Sequence, residues 1–231
     1  DIDSILKQLY RHKLLSLSNV LINETNNVDK NRIKEELQKW AFRSLLLTNE
    51  AINLNRELIK SSIEPIFIKG PVLAYQLYND VGERYYTDLD ILVRESDLNK
   101  AISILKKLNY RSLIPISHFS SIDGQKYLKA KHDVGFYHSE KRIYVELHIR
   151  LSDGVLLTHE NEVHIIEQRS TVKFYGKRIT TLRPEENFIY LCYHASIHGF
   201  FRLSWLRDIA TYIQRSDLNH EVILSKIYVL G

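Results

Sequence analysis

The sequence predicts an α+β protein in which a small mixed β-sheet is flanked by N-terminal and C-terminal helices. Three observations carry this prediction. Apolar residues keep helical spacing through the first sixty residues, short apolar runs typical of strands fill the middle, and helical spacing returns after Pro184. With only 8 Gly and 4 Pro in 231 residues, we expect few loops and long helices.

The first sixty residues predict two helices. Ile2, Ile5, Leu6 and Leu9 lie three or four residues apart, as on one helix face. The pair at positions 26–27, Asn-Asn, interrupts this pattern, and we expect Asp29 or Asn31 to cap a second helix that runs to about residue 59.

The middle of the chain alternates strands and helices. Residues 66–68 form a short buried strand that runs into Lys69-Gly70-Pro71, where Pro71 suits the first turn of a helix. Residues 88–93 predict a strand that is polar where it begins and apolar where it ends. Ser96 is placed to cap the next helix. Residues 133–137 and 142–149 then predict a β-hairpin.

The later part is expected to hold strands over residues 163–166, 171–175 and 178–182, followed by helices over 184–198 and 203–213. We therefore predict three regions: an N-terminal helical region (1–60), a central core (61–152), and a C-terminal hairpin and helical region (153–231). Because the chain begins at Asp1 and contains no methionine, we expect it to be incomplete, and the C-terminal region with it.

The composition excludes several classes of protein. Lys and Arg number 32 against 28 Asp and Glu, a net charge of +4, so acidic partners such as nucleotides or RNA are compatible but not required. The single cysteine, Cys192, excludes an intramolecular disulfide and a Cys₄ zinc site. No apolar stretch is long enough to cross a membrane and no signal peptide is evident, so we expect a cytoplasmic protein.

Acidic residues on two predicted strands suggest a cation site. Asp88 and Asp90 are one residue apart, so both carboxylates lie on one face of their strand and repel each other unless a cation joins them. A hard divalent cation prefers such oxygen ligands. Alternatively, Asp88 caps a turn and Asp90 faces solvent. Glu146 interrupts an apolar strand and needs a partner, which is either the same metal or a Lys or Arg.

Lys69 and Gly70 are candidates to bind an anion. Glycine lets the backbone approach a ligand closely, the first amides of the following helix favour negative charge, and lysine adds a positive charge. A purely structural turn is the alternative. His148 lies two residues after Glu146, on the same face, either as an orienting group or as an ordinary buried histidine.

These motifs together resemble the polymerase-beta-like nucleotidyltransferase superfamily, which includes the aminoglycoside nucleotidyltransferases. The resemblance is sharpest to a bacterial branch labelled nucleotidyltransferase family protein. It spans roughly residues 60–215 and rests on 68–70 (Ile-Lys-Gly), Arg84, 88–93 (Asp-Leu-Asp-Ile-Leu-Val), 145–148 (Val-Glu-Leu-His), 192–199, 202–203 and 205–208. One departure is Pro71, which stands where the superfamily usually has Ser or Gly and lacks an amide hydrogen for a phosphate.

The resemblance implies an enzyme that transfers a nucleoside monophosphate from a nucleoside triphosphate (NTP) to a hydroxyl acceptor on a small molecule, a protein or an RNA end. It implies two Mg²⁺ ions held by Asp88, Asp90 and Glu146, with Glu146 helping to deprotonate the hydroxyl. Lys69 and Arg84 would contact the phosphates, because guanidinium pairs bidentately with phosphate oxygens. The alternative for Arg84 is a salt bridge to Asp88.

Two other functions share these features. A catalytically degenerate nucleotide- or RNA-binding module of the same fold is favoured by Pro71. A toxin-like transferase acting on tRNA would need a basic groove, for which the candidates are Lys126, Lys129, Lys131, Lys141 and Arg142. His194 and His198 lie on one helix face at zinc-binding spacing, but the sequence offers no third ligand, so a structural or substrate-contact role is favoured.

Overall fold

The computed structural model describes residues 1–115, 119–152, 163, 166–215 and 218–230, and it is α+β with a mixed sheet, as predicted. The α-helices are α1 (Ile2–Arg11), α2 (Asn27–Lys60), α3 (Gly70–Tyr78), α4 (Leu98–Lys107), α5 (Ile122–Ala130), α6 (Pro184–Ile197), α7 (Leu203–Ile213) and α8 (His220–Leu230). The strands are β1 (Ile66–Phe67), β2 (Asp88–Leu92), β3 (Arg111–Ser112), β4 (Asp133–His138), β5 (Ile143–His148), β6 (Arg169–Phe174) and β7 (Lys177–Leu182).

The N-terminal helices are present, but the cap of α2 differs from the prediction. The side chain of Asn26 accepts a hydrogen bond from the amide of Asp29 at 3.0 Å, so α2 begins at Asn27. Asp29 and Asn31 lie inside the first turns instead. Asn is among the best N-cap residues, and here its side chain satisfies one of the free amides of the first turn.

The main sheet has five strands in the order β1-β2-β5-β4-β3. β2 and β5 are parallel and the other neighbours are antiparallel, which makes the sheet mixed. The predicted hairpin is confirmed as β4 and β5. β6 and β7 pair with each other in a separate two-stranded sheet, which confirms the strands expected near residues 171–175 and 178–182.

The two faces of the main sheet differ in chemistry. Leu89 and Ile91 of β2 and Val145 and Leu147 of β5 are fully buried on one face, which joins the large core beneath α2. Because side chains alternate along a strand, Asp88, Asp90, Glu146 and His148 all lie on the opposite face. That face is covered in part by α6, whose Tyr190 packs with Leu92 and Ile68.

Two local predictions were wrong. Val163 and Ile166 are helical, not part of a strand, and their three-residue spacing suits one helix face; positions 164–165 lie outside the described residues. Ser96 does not cap α4. A 3₁₀ turn over Glu95–Asp97 leads directly into the helix, and no side chain caps it there.

A single apolar cluster connects the regions predicted from the sequence. It contains Leu6 of α1, Leu54 of α2, Val145 of β5 and Ile179 of β7. The division into three domains stays a prediction. None of the helices described here is both long and apolar enough to cross a membrane.

Candidate active site

The register of β2 and β5 brings the acidic residues together. The two strands run parallel, with Asp90 opposite Glu146 and Leu92 opposite His148. Directly opposed residues on neighbouring strands have Cβ atoms about 5 Å apart, within reach of a shared ligand. Asp88, Asp90, Glu146 and His148 line one cavity of about 510 Å³, which is large enough for a nucleotide-sized ligand.

The turn between β1 and α3 fixes the position of Lys69. Gly70 has φ of +63°, and a Cβ there would lie 3.4 Å from the backbone oxygen of Asp88. The amide of Ile68 donates to the backbone oxygen of Asp90 at 3.3 Å. The turn is therefore packed against β2, and it sets the Lys69 Nζ atom 3.1 Å from Asp90 Oδ1. The side chain of Lys69 lines the cavity, whereas Gly70 packs against the backbone of β2.

Asp90 is a buried carboxylate between two cationic groups. Its side chain is 4% exposed, and His148 Nε2 lies 3.4 Å from the oxygen that Lys69 also contacts. Burial opposes ionisation of Asp90, but Lys69 and His148 outweigh it and lower its pKa. Burial alone would lower the pKa of His148, yet Asp90 and Glu146 raise it to about 9. The pKa of Lys69 is raised by Asp90 against the effect of burial.

Asp88 and Glu146 lie nearer the cavity mouth than Asp90, and their negative charges are less compensated by contacts with positive groups. Burial and the neighbouring Asp90 raise the pKa of Asp88. The side chain of Glu146 is 41% exposed, so this carboxylate is only partly buried although it interrupts an apolar strand. Glu146 lines the cavity, and His148 Nε2 lies 3.6 Å from its Oε2. No Lys or Arg of the described chain forms an ion pair with Glu146.

Three of these residues meet the geometric requirement for a metal site. Asp90, Glu146 and His148 each offer one ligand atom, and the three atoms lie within 4.8 Å of one another. Both ring nitrogens of His148 are buried and make no hydrogen bond to any described residue. A divalent cation can use two carboxylates and an imidazole as ligands. The carboxylates suit Mg²⁺ and Mn²⁺, and the imidazole suits transition metals. This set includes His148 in place of Asp88, which differs from the ligand set predicted from the sequence.

Arg84 lines the same cavity but does not pair with Asp88. Its Nε donates to Asp208 Oδ2 at 2.8 Å, and Tyr78 donates to the other oxygen of Asp208 at 2.8 Å. Both members of the ion pair are nearly inaccessible, with side chains 9% and 1% exposed. The alternative of a salt bridge to Asp88 was therefore wrong. Asp208 lies in the segment 205–208, which is part of the family resemblance, but the sequence did not indicate that it pairs with Arg84.

Helix α6 and the segment after it form the opposite wall. The rings of His194 and His198 meet edge to face, with centroids 4.8 Å apart, and both contact Trp205, at 5.3 and 5.5 Å between ring centroids. Burial and the nearby Lys69 lower the pKa of His194 to about 2. Within the described residues no third ligand joins the two histidines, so the structure gives no support to a zinc site. They form an aromatic wall instead.

Some cavity residues were given no role from the sequence, among them Tyr190, Lys13 and Arg202. Tyr190 places its ring 5.5 Å from Lys69 Nζ, and burial raises its pKa to about 12. Lys13 and Arg202 also line the cavity. Arg202 lies in a segment that the resemblance included, but nothing in the spacing around Lys13 relates it to cavity residues 56 or more positions away.

The basic residues proposed for an RNA groove do not come together. Lys141 and Arg142 lie at the turn of the β4–β5 hairpin, and Lys141 Nζ binds both carboxylate oxygens of Glu50 at 2.8 and 2.7 Å. Lys126 and Lys129 lie on α5, which leads to the other end of that hairpin. A six-residue strand separates the two groups by about 20 Å. The structure therefore does not support the basic groove of a tRNA-modifying enzyme.

Comparison with known proteins agrees with this architecture. The solution structure of the antibiotic-resistance factor ANT(2'')-Ia shares the fold, with a TM-score of 0.52 and 8% identity, covering 79% of this chain and 88% of that one. An antigenic nucleotidyltransferase-like protein from Paracoccidioides brasiliensis has a TM-score of 0.45 and 13% identity, over 81% and 86% of the chains. No curated protein matches the sequence. A family model described as uncharacterised nucleotidyltransferase matches residues 1–231, and the chain belongs to that family.

Proposed function

We propose that this protein is a Mg²⁺-dependent nucleotidyltransferase that moves a nucleoside monophosphate from an NTP to a hydroxyl acceptor. The observation that carries the proposal is the convergence of Asp88, Asp90 and Glu146 from two parallel strands in one cavity with Lys69. Membership of the nucleotidyltransferase family supports the reaction class. The acceptor is a small molecule, a protein side chain or an RNA end.

The carboxylates would hold the metal. Asp90, Glu146 and His148 form the closest donor set, and Asp88 adds a fourth donor from the same strand as Asp90. We propose two ions, as the family resemblance implies. A bound divalent cation would neutralise the phosphates and polarise the α-phosphorus. Before metal binds, Lys69 and His148 compensate Asp90, and they allow this buried carboxylate to remain ionised.

Other residues of the cavity are candidates to accept the proton of the hydroxyl and to bind the base of the nucleotide. Glu146 is half-exposed at the mouth of the cavity, where an acceptor hydroxyl can reach it, and it is the candidate to take up the proton. In the proposed step the hydroxyl oxygen bonds to the α-phosphorus, the bond to the bridging oxygen breaks, and pyrophosphate leaves with its electron pair. The aromatic wall of His194, His198 and Trp205 offers ring faces on which a base can stack.

A second candidate function is a nucleotide- or RNA-binding module without turnover. Two observations favour it. Asp90 is already in contact with two cationic groups of the protein, and Pro71 lies in the first turn of α3 without an amide hydrogen. A module of this kind would bind nucleotide and release no pyrophosphate.

Calorimetric titration with each NTP, in Mg²⁺ and then in excess chelator, tests the binding site. Wild type is compared with Asp88→Asn and Glu146→Gln, and Glu140→Gln, at the exposed turn of the same hairpin, is the matched control. Asp90 is unsuitable as the first target because its loss would leave Lys69 buried without a partner. We expect metal-dependent binding that the two site variants weaken and the control does not.

Transfer is then measured with the bound NTP labelled at the α-phosphate, using pyrophosphate release as the general signal. Labelled small molecules, protein or RNA distinguish the three acceptor classes. Metal-dependent binding without release against any acceptor class would favour the binding module. Absence of NTP binding by folded wild-type protein would refute the transferase.

A further inference from the structure

Two of the four Lys and Arg side chains that line the cavity form ion pairs with carboxylates, and the other two form none with any described residue. Lys69 is bound to Asp90, and Arg84 is bound to Asp208. Lys13 and Arg202 line the same cavity, and neither forms a hydrogen bond or ion pair through its charged group with any residue the structure describes. The two residues that the sequence suggested for phosphate binding are therefore already in ion pairs, and the charged groups of the other two are not.

Lys13 is held firmly at the end of α1. Its backbone has φ of +54°, its amide donates to the carbonyl of Tyr10 at 3.1 Å, and the next amide, of Leu14, donates to Leu9 at 2.7 Å. A lysine in the left-handed conformation costs about 1 kcal/mol or more, so surrounding contacts must fix this turn.

Those contacts come from the same segment that carries Arg202. The amide of Ser204 donates to the carbonyl of His12 at 3.2 Å, directly beside Lys13. Arg207 Nη1 donates to Ser16 Oγ at 3.0 Å. The guanidinium of Arg202 lies 5.6 Å from the centroid of the Trp205 ring. The turn after α1 and the start of α7 thus place Lys13 and Arg202 on one wall.

The electrostatics of this wall suit an anion. Burial lowers the pKa of Lys13, Asp88 and Asp90 oppose that effect, and Arg202 and Arg84 add to it. Lys13 is therefore close enough to two other cations to be repelled by them, and close enough to Asp88 to border the proposed metal site. Partly buried cations that repel each other are stabilised when a multivalent anion binds between them.

We propose that Lys13 and Arg202 bind the β- and γ-phosphates of the substrate and hold the pyrophosphate as it leaves. The inference rests on the proposed function and assigns the direction of the triphosphate, from Asp88 toward the turn after α1. Because Pro71 has no amide hydrogen, the first turn of α3 offers one phosphate donor fewer. The positive charges of Lys13 and Arg202 would compensate for that donor. The N-terminal segment is then part of the substrate site.

The test is calorimetric titration in Mg²⁺ with pyrophosphate, tripolyphosphate, the bound NTP and the corresponding NMP. The variants are Lys13→Gln, Arg202→Gln and Lys13→Arg. Lys7→Gln, exposed on α1 and outside the cavity, is the matched control. Circular dichroism and a melting curve establish that each variant is folded.

We expect Lys13→Gln and Arg202→Gln each to weaken NTP and tripolyphosphate binding about 10- to 100-fold, the usual effect of removing a hydrogen bond between charged groups. NMP binding should change less than about threefold, and Lys13→Arg should retain most of the affinity. A purely structural role would weaken NMP and NTP equally, and that result overturns the inference.

The outcomes separate this inference from the proposed function. If wild type binds NTP and Lys13→Gln binds it equally well, the inference fails and the transferase stands. If tripolyphosphate binding depends on Lys13 but no NTP is turned over, the phosphate-binding role of Lys13 stands and the transferase fails. If wild type binds neither polyphosphate nor NTP, both fail.

Discussion

The ion pair between Lys69 and Asp90 gives the sharpest test of how the site is built. The substitution is Lys69→Met, which keeps the length of the side chain and removes its charge. In the wild-type protein the two side chains are 13% and 4% exposed and 3.1 Å apart. After the substitution the carboxylate of Asp90 keeps its contact with His148 Nε2, at 3.4 Å.

The expected magnitude follows from burial. Removing one partner of a buried ion pair costs about 3–5 kcal/mol, because the other charge stays uncompensated in a poorly solvated place. For a protein of 231 residues each kcal/mol corresponds to about 2–4 °C in the melting temperature, so we expect a loss of about 6–20 °C. The double variant Lys69→Met/Asp90→Asn should recover part of this loss, since no charge is left unpaired.

Differential scanning calorimetry in a chelator measures these shifts. Lys60→Met is the matched control, because Lys60 pairs with Glu57 at 3.0 Å on the surface of α2, where its side chain is 62% exposed. A surface pair contributes under about 1 kcal/mol, and the control should melt within about 4 °C of wild type. If Lys69→Met melts no lower than Lys60→Met, burial does not control the energetics of the site and the reasoning is refuted.

Three further predictions follow from single residues. Gly70→Ala and Gly176→Ala, at φ of +63° and +76°, should each destabilise the protein by about 1–2 kcal/mol in thermal melts, and only Gly70→Ala, beneath Asp88, should also weaken NTP binding; equal effects on binding would count against the proposed site. His194 has a pKa lowered to about 2, so the native state does not take up the proton that the unfolded state binds below about pH 6.5. Stability present above that pH should therefore be lost as the pH falls, by up to about 1.4 kcal/mol per unit, and the loss should be smaller in His194→Asn melts between pH 7 and 5, where His198, whose pKa is also lowered, still contributes. Partial burial raises the pKa of Cys192 to about 11, so alkylation at pH 8 should be slow in native protein and fast in urea; rapid labelling of the native protein would contradict the raised pKa.

The elements that the sequence predicted well are those whose signal is local. Alternating polar and apolar residues set the strands, and the one-residue spacing of Asp88 and Asp90 placed both on one sheet face, as the register of β2 shows. Pro71 was correctly placed in the first turn of α3. These features depend on neighbours within a few positions of one another.

The features that the sequence did not reveal depend on distant partners. Arg84 pairs with Asp208, 124 positions later, and no local pattern distinguishes that partner from Asp88. The exposure of Glu146 depends on where the cavity opens, which the other elements decide. Lys13 reaches the site because the turn after α1 packs against the start of α7. Side-chain pairing of this kind is set by tertiary packing.

The hydrogen bonds that join the turn after α1 to α7 also have a consequence for biosynthesis. Ser16 and Arg207 are 191 positions apart, as are His12 and Leu203. At about 5–20 residues per second, roughly 10–40 s pass between the synthesis of the two partners. Contacts so far apart in sequence form late in folding. During that interval α1 lacks its final docking surface, so the nascent chain cannot complete the cavity until α7 has left the ribosome.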